Sequence, residues 1–309
     1  MLFFKRLSVT RQSGKLRYSL IFLVLLVFIF TMVSFLSNGQ NREVTPFFIE
    51  LPKPLVISHR GGSTFPENTL PGFQHSIDIG VDVIEFDVHM TKDGHLVVIH
   101  DFTVDRTTDG QGRVDSFTLA EIKELDAGYS YTNTEGLFIF RNQGITIPTV
   151  REVFEEFPNN YMNIELKAQS PEIEQVLWDL IESYNMQSRV VISSFEQDIM
   201  DQFNKIAGGT VAVSGGKREA AKFVFLHKFY LSALYSPRVD TIQLPKKSNG
   251  FHLIDQKLID GAKMHDLQIY YWTINDRDTM ERLLLLGVDG IITDDPELLF
   301  EVMHQLNIR

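Results

Sequence analysis

Residues 55–100 read LVISHRGGSTFPENTLPGFQHSIDIGVDVIEFDVHMTKDGHLVVIH. Three apolar, β-branched runs lie in this stretch, and two of them end on a histidine, His59 and His100. The third carries two carboxylates, Glu85 and Asp87, two residues apart. Strand residues alternate faces, so positions 85 and 87 point the same way while Phe86 points into packing on the other side. Two like charges on one strand face repel unless a cation lies between them, and an all-oxygen site selects hard ions such as Ca²⁺ or Mg²⁺. The neighbours Ile84, Phe86 and Val88 mark a buried strand, where an unpaired carboxylate is costly. A solvated strand face therefore fits these residues poorly.

Outward from this stretch the pattern alternates short apolar runs with longer amphipathic ones. Strands are expected at 55–59, 82–89, 161–167, 189–195, 210–214, 239–244, 268–274 and 289–293. Helices are expected near 69–79, 149–157, 171–185, 196–207, 216–235, 252–266, 277–286 and 296–306. This count predicts an α/β fold, a (β/α)8 TIM barrel, with chemistry at the C-terminal ends of its strands. His59, Asp87 and Glu165 fall at such ends. The run 96–100 follows strand 82–89 after a short Asp-Gly link, which favours an antiparallel return arm carrying His100 back beside Glu85 and Asp87. Residues 101–147 then form an irregular insertion at the barrel mouth, where long loops shape access.

The chain has 309 residues, a formal charge of −11 and no cysteine. Nucleic-acid binding is disfavoured by that charge, and neither disulfides nor Cys-based zinc sites are possible. Residues 1–17 hold Lys5, Arg6, Arg11, Lys15 and Arg17 without an acid and read as a basic cytoplasmic tail. Residues 18–36, YSLIFLVLLVFIFTMVSFL, are uncharged. As a helix they span about 28 Å, close to a bilayer core. They are expected to form a single transmembrane anchor, with 37–54 a stalk and the domain 55–309 extracytoplasmic. A cleaved signal peptide, giving a secreted protein, is the alternative.

An ordered set of motifs resembles the glycerophosphodiester phosphodiesterases: HRG at 59–61, PENT at 66–69, EFDV at 85–88, HD at 100–101, NIELK at 163–167, WTIND at 272–276 and GVDGIITDDP at 287–296. The resemblance implies a phosphatidylinositol-phospholipase-like barrel that hydrolyses glycerophosphodiesters to an alcohol and glycerol 3-phosphate, using one divalent cation, Ca²⁺ or Mg²⁺. By it, His59 and His100 are the acid/base pair, and Glu85, Asp87 and Glu165 the metal ligands. Arg60 and Lys167 contact phosphate, and Trp272 is a pocket aromatic. Histidine suits proton transfer because its pKa lies near neutrality. A lysophospholipase D or a hydrolase of envelope glycerol-phosphate polymers on the same scaffold is the alternative enzyme. A membrane-tethered, non-catalytic binding protein is the alternative of another class. Gly61 and Gly62 are expected to allow tight backbone near phosphate. Glu67 is expected to act in a turn or to brace the metal loop. His89 is expected above the mouth in solvent, as are Lys246 and Lys247. The apolar run 223–235 is expected to be a helix wedged on the barrel, with contact to a lipid or acyl chain as the sharper alternative.

Overall fold

The computed structural model describes residues 18–25, 27–28, 45–167, 170, 172–248 and 250–309. Eight parallel strands form the barrel: β1 (Leu55–Ser58), β2 (Val83–Met90), β4 (Tyr161–Leu166), β5 (Val190–Ser193), β6 (Ala212–Val213), β7 (Thr241–Pro245), β10 (Gln268–Trp272) and β11 (Gly290–Thr293). They pair in the order β6-β5-β4-β2-β1-β11-β10-β7, and a parallel bridge from Ser214 to Thr241 joins the two ends. All eight expected strands are present. Their near-continuous apolar character follows from burial on both faces, as parallel sheets require.

Helices α1 (Leu70–Asp78), α3 (Val150–Glu156), α4 (Ile173–Ser183), α5 (Gln197–Ala207), α6 (Lys217–Lys228), α7 (Gln256–Met264), α8 (Arg277–Leu286) and α9 (Pro296–Gln305) return the chain between strands and after the last. Sequence chemistry sets their ends. Thr69 and Thr149 cap α1 and α3, Asp276 and Asp295 cap α8 and α9, and Gly287 ends α8 in the left-handed conformation. Val56, Ile84, Phe86 and Val88 face this helical layer. Leu55, Ile57, Val83, Val191, Tyr270 and Ile292 face inward. Alternation along β2 thus sends Phe86 against Phe73, ring centroids 5.6 Å apart, and turns Glu85 and Asp87 into the barrel.

The return arm is β3 (Leu96–Val98), antiparallel to β2 with Val88 opposite Val98. The insertion after it is less irregular than expected. It contains α2 (Leu119–Lys123) and its own apolar cluster, in which Val104, Val114, Ile122 and Ile147 pack on Val97 and Ile99. Part of the segment read as a stalk is also packed. Phe47 is 1% exposed and joins the inward-facing cluster, its ring edge-on to Tyr161 at 5.3 Å. The helix expected over 216–235 stops at Lys228; Tyr230 takes a left-handed conformation and a short turn, Ser232–Leu234, follows. Of the expected anchor, residues 18–25 and 27–28 are helical and exposed, and 26 and 29–36 lie outside the described residues. Among the described residues, no helix is long and apolar enough to cross a membrane.

Candidate active site

One cavity of about 790 Å³ opens at the C-terminal ends of the strands and is lined by His59, Arg60, Glu85, His100, Glu165, Lys167 and Trp272. Asp87, 1% exposed, lies directly beneath it. All eight residues singled out from the sequence are therefore together. Register explains the carboxylates: β2 and β4 set Asp87 beside Glu165, while Glu85 sits one pair deeper beside Asn163. Oxygens of Glu85, Asp87 and Glu165 lie within 4.8 Å of one another.

The backbone around them is held tightly. Arg60 adopts φ 55, a conformation L-residues seldom take, and its N–H donates to Glu85 Oε2 at 2.8 Å. Gly61 follows at φ 84, and a Cβ there would meet the Gly72 backbone and the Phe73 ring at 3.0 Å. Asn68, also left-handed, donates to Asp87 Oδ2 at 2.9 Å. Arg60 Nε lies 3.2 Å from Asp87, and its Nη1 donates to Glu67 at 3.1 Å. Glu67 also accepts two bonds of 2.7 Å from Arg106, so it braces both arginines rather than a turn. Lys167 Nζ sits 3.1 Å from Asp87 and 2.9 Å from Glu165.

Each site histidine has its Nδ1 engaged by a carboxylate at 2.6 Å: His59 by Asp294 and His100 by Asp101. The two settings differ. Asp294 is held by the Asn275 amide at 2.6 Å, whereas Asp101 shares its charge with Arg106 at 2.7 Å. Burial disfavours the His59 imidazolium, but the Asp294 bond and the Glu85 charge outweigh it and raise the pKa. Burial lowers the pKa of His100, with Lys167 and Arg60 adding to that and Asp87 and Asp101 opposing it. His89 is not in solvent. It is 2% exposed, bonds the His100 carbonyl through Nε2 at 3.0 Å, and so anchors the backbone that carries His100. Lys246 pairs with Asp276 at 2.9 Å outside the cavity wall.

Charge within the cluster is frustrated. Burial, then the adjacent Asp87 charge, pushes the Glu85 carboxyl up to about 8. Burial also raises Glu165, whereas Lys167 and Arg60 overcome burial at Asp87 and hold it low. Asp87 Oδ1 and Glu165 Oε1 are buried and both face the one ammonium of Lys167, at 3.1 and 2.9 Å. Three carboxylates with oxygens within 4.8 Å of one another, two of them pushed toward the neutral form by burial, offer the all-oxygen donor set that fits a hard divalent cation.

Asp294, Asp101, Asn275 and Arg106 were not singled out from the sequence. Asp101 was findable as the second half of HD. Asp294, in TDDP at the end of the last strand, could be found once β11 is recognised as the neighbour of β1.

The sequence profile of the glycerophosphoryl diester phosphodiesterase family matches residues 59–298. A glycerophosphodiester phosphodiesterase of Caldanaerobacter subterraneus subsp. tengcongensis is 39% identical over 261 residues, 82% of this chain and 99% of that one. A glycerophosphodiester phosphodiesterase structure from Agrobacterium tumefaciens superposes with a TM-score of 0.63 at 25% identity, covering 79% and 98% of the two chains. A phosphodiesterase of Oleispira antarctica, solved in complex with its product sn-glycerol-3-phosphate, superposes with a TM-score of 0.64 at 25% identity, covering 82% and 97%.

Proposed function

This chain belongs to the glycerophosphoryl diester phosphodiesterase family and is a phosphoric diester hydrolase, and from that premise we propose a metal-assisted, two-histidine cleavage of glycerophosphodiesters. The observation that carries it is the single cavity lined by both histidines, Arg60 and Lys167 beside three carboxylates within 4.8 Å of one another. A divalent cation held by Glu85, Asp87 and Glu165 would neutralise the phosphodiester and polarise its phosphorus–oxygen bonds.

The chain's own groups do the rest. Arg60, pinned by Glu67 and Asp87, presents a guanidinium to the phosphoryl oxygens, and Lys167 adds a second positive charge. One imidazole takes the proton of the attacking oxygen, and the other protonates the departing oxygen of the alcohol. With Nδ1 bonded to a carboxylate in both rings, Nε2 is the nitrogen left for this transfer. A water attack balances as diester plus water giving glycerol 3-phosphate and alcohol. Attack by the substrate's glycerol hydroxyl gives a cyclic phosphate first, which water then opens.

The test is release of glycerol 3-phosphate from glycerophosphocholine by the full chain with Ca²⁺, with Mg²⁺ and with chelator. His59→Ala and His100→Ala should each lower kcat by about 10²–10⁴-fold. Turnover that persists in both variants would sink the two-histidine reading. Full activity in chelator would sink the metal. The uncharged run 18–36 and the five cations before it support a single-pass anchor with the barrel outside the cytoplasm. Protease added to intact cells should then digest the barrel, and complete protection would reverse the orientation.

A further inference from the structure

A phosphodiester has two arms, and a second cavity meets the catalytic one at the phosphate contact. It measures about 230 Å³, which at about 30 Å³ per water-sized group has room for a small alcohol. Among the described residues its walls include His89, Phe102, Arg113, Asp115, Lys167 and Glu196, so it lies between the insertion and the barrel mouth. Lys167 and Glu196 line both cavities. The catalytic cavity extends from Lys167 past Trp272 to Val224 and Phe225 of α6. It also reaches the hairpin of β8 (Lys247–Ser248) and β9 (Phe251–His252), which contributes Phe251.

The lining of the second cavity carries one uncompensated charge, and it is negative. Arg113 and Asp115 neutralise each other, with Nε to Oδ1 at 2.9 Å and Nη2 to Oδ2 at 2.5 Å. Lys167 is held by Asp87 and Glu165 at 3.1 and 2.9 Å. The Nε2 of His89 is spent on the His100 carbonyl at 3.0 Å. Glu196 is left over. It stands at the N-cap of α5 but makes no side-chain bond to that helix, and among the described residues its carboxylate has no ion-pair partner. Phe102 adds an uncovered ring, 54% exposed and edge-on to His89 at 4.9 Å. A carboxylate beside an open phenyl face attracts an ammonium group, whereas a neutral polyol gains nothing from that charge.

Resting on the hydrolase reading above, we infer that this second cavity receives the departing alcohol of the diester. Glu196 and Phe102 then select an alcohol bearing an ammonium group, such as choline or ethanolamine, over a neutral one. The uncharged glycerol arm lies in the catalytic cavity on the Trp272 side, and the phosphate sits at Lys167 between the two.

The test isolates the charge. It compares kcat/KM for glycerophosphocholine with that for the glycerophosphodiester of 3,3-dimethylbutanol, in which carbon replaces the choline nitrogen. Release of glycerol 3-phosphate by the full chain is followed with Ca²⁺ or Mg²⁺ present. The choline ester should be favoured by at least about fivefold, the worth of two unit charges about 4 Å apart even in water. Glu196→Gln should bring the ratio down by that factor, and rising salt should lower it in the wild type but not in this variant. Phe102→Leu keeps an apolar side chain, removes the ring face and should lower the ratio by about two- to fivefold. It also serves if Glu196→Gln fails to fold. A wild-type ratio near one, with sound turnover of both esters, overturns the inference and leaves the hydrolase reading standing. A preference for the choline ester that survives both substitutions also overturns it, by placing the ammonium elsewhere. Turnover of neither ester, in folded protein with the cation present, defeats the hydrolase reading itself and the inference with it.

Discussion

Asp294 sits 235 residues from His59 in the chain and 2.6 Å from it in space. Asn275 fixes it from the other side, donating to Oδ2 at 2.6 Å and accepting from the Asp294 N–H at 2.9 Å. Asp294 thus orients the imidazole and favours its charged form. Asp294→Asn keeps the shape and removes the charge, so His59 should lose the raised pKa. The limb of the pH–rate profile that reports His59 should move to lower pH, with kcat falling by roughly 10²-fold and KM nearly unchanged. An unmoved profile would reduce Asp294 to a packing role. His59 itself was legible because its motif is local. Its partner was not, because only the closure of the barrel brings Thr293 beside Ser58.

At the scale of elements, the packing of α6 on α7 turns on one ring. His227 lies against Gly261, where a Cβ would come within 2.1 Å of the imidazole Cδ2. Phe223, Tyr235 and His265 surround that ring at centroid distances of 4.3–5.4 Å, so it has little room to yield. Gly261→Ala should destabilise the protein by about 1–3 kcal/mol, read from denaturant unfolding. The same packing makes stability sensitive to acid. Burial lowers the pKa of both His227 and His265 below the ordinary 6.5. The unfolded chain takes up these protons first, so their contribution is complete above 6.5 and is lost as pH falls through the window below it. His227→Phe should make the melting temperature less dependent on pH there, and an unaltered slope would exclude the ring as its source. The sequence suggests one helix over 216–235 because no glycine or proline follows Gly216 until Pro237. The break at Tyr230 has no local signal, since it answers to the packing of Tyr235 back onto Phe223.

Across the whole molecule, the barrel was readable because parallel strands buried on both faces leave continuous apolar runs, and β3 because Asp-Gly permits a tight reversal. The insertion's small core was hidden, as its apolar residues are scattered among turns and meet only after β3 returns. What the barrel does with its assembled charge can be measured as stability. Without a cation the fold holds Glu85 at about 8 against an ordinary 4.5, through burial and then the Asp87 charge. The folded state therefore binds the extra proton throughout that window. Its stabilising effect is full below 4.5 and is lost as pH rises toward 8. In chelator, the wild-type melting temperature should consequently fall with rising pH relative to Glu85→Gln, in which the titrating group is replaced by a neutral isostere. A divalent cation held there would bind the ionised carboxylate and displace that proton, so on the proposed reading added Ca²⁺ or Mg²⁺ should raise the melting temperature most at the alkaline end. At a hundredfold excess over Kd the gain is about 2.7 kcal/mol, a shift of several degrees. Glu85→Gln should lose most of that shift. Equal cation shifts in wild type and variant would place the ion away from Glu85, and no shift in either at millimolar cation would remove the resident metal from the site.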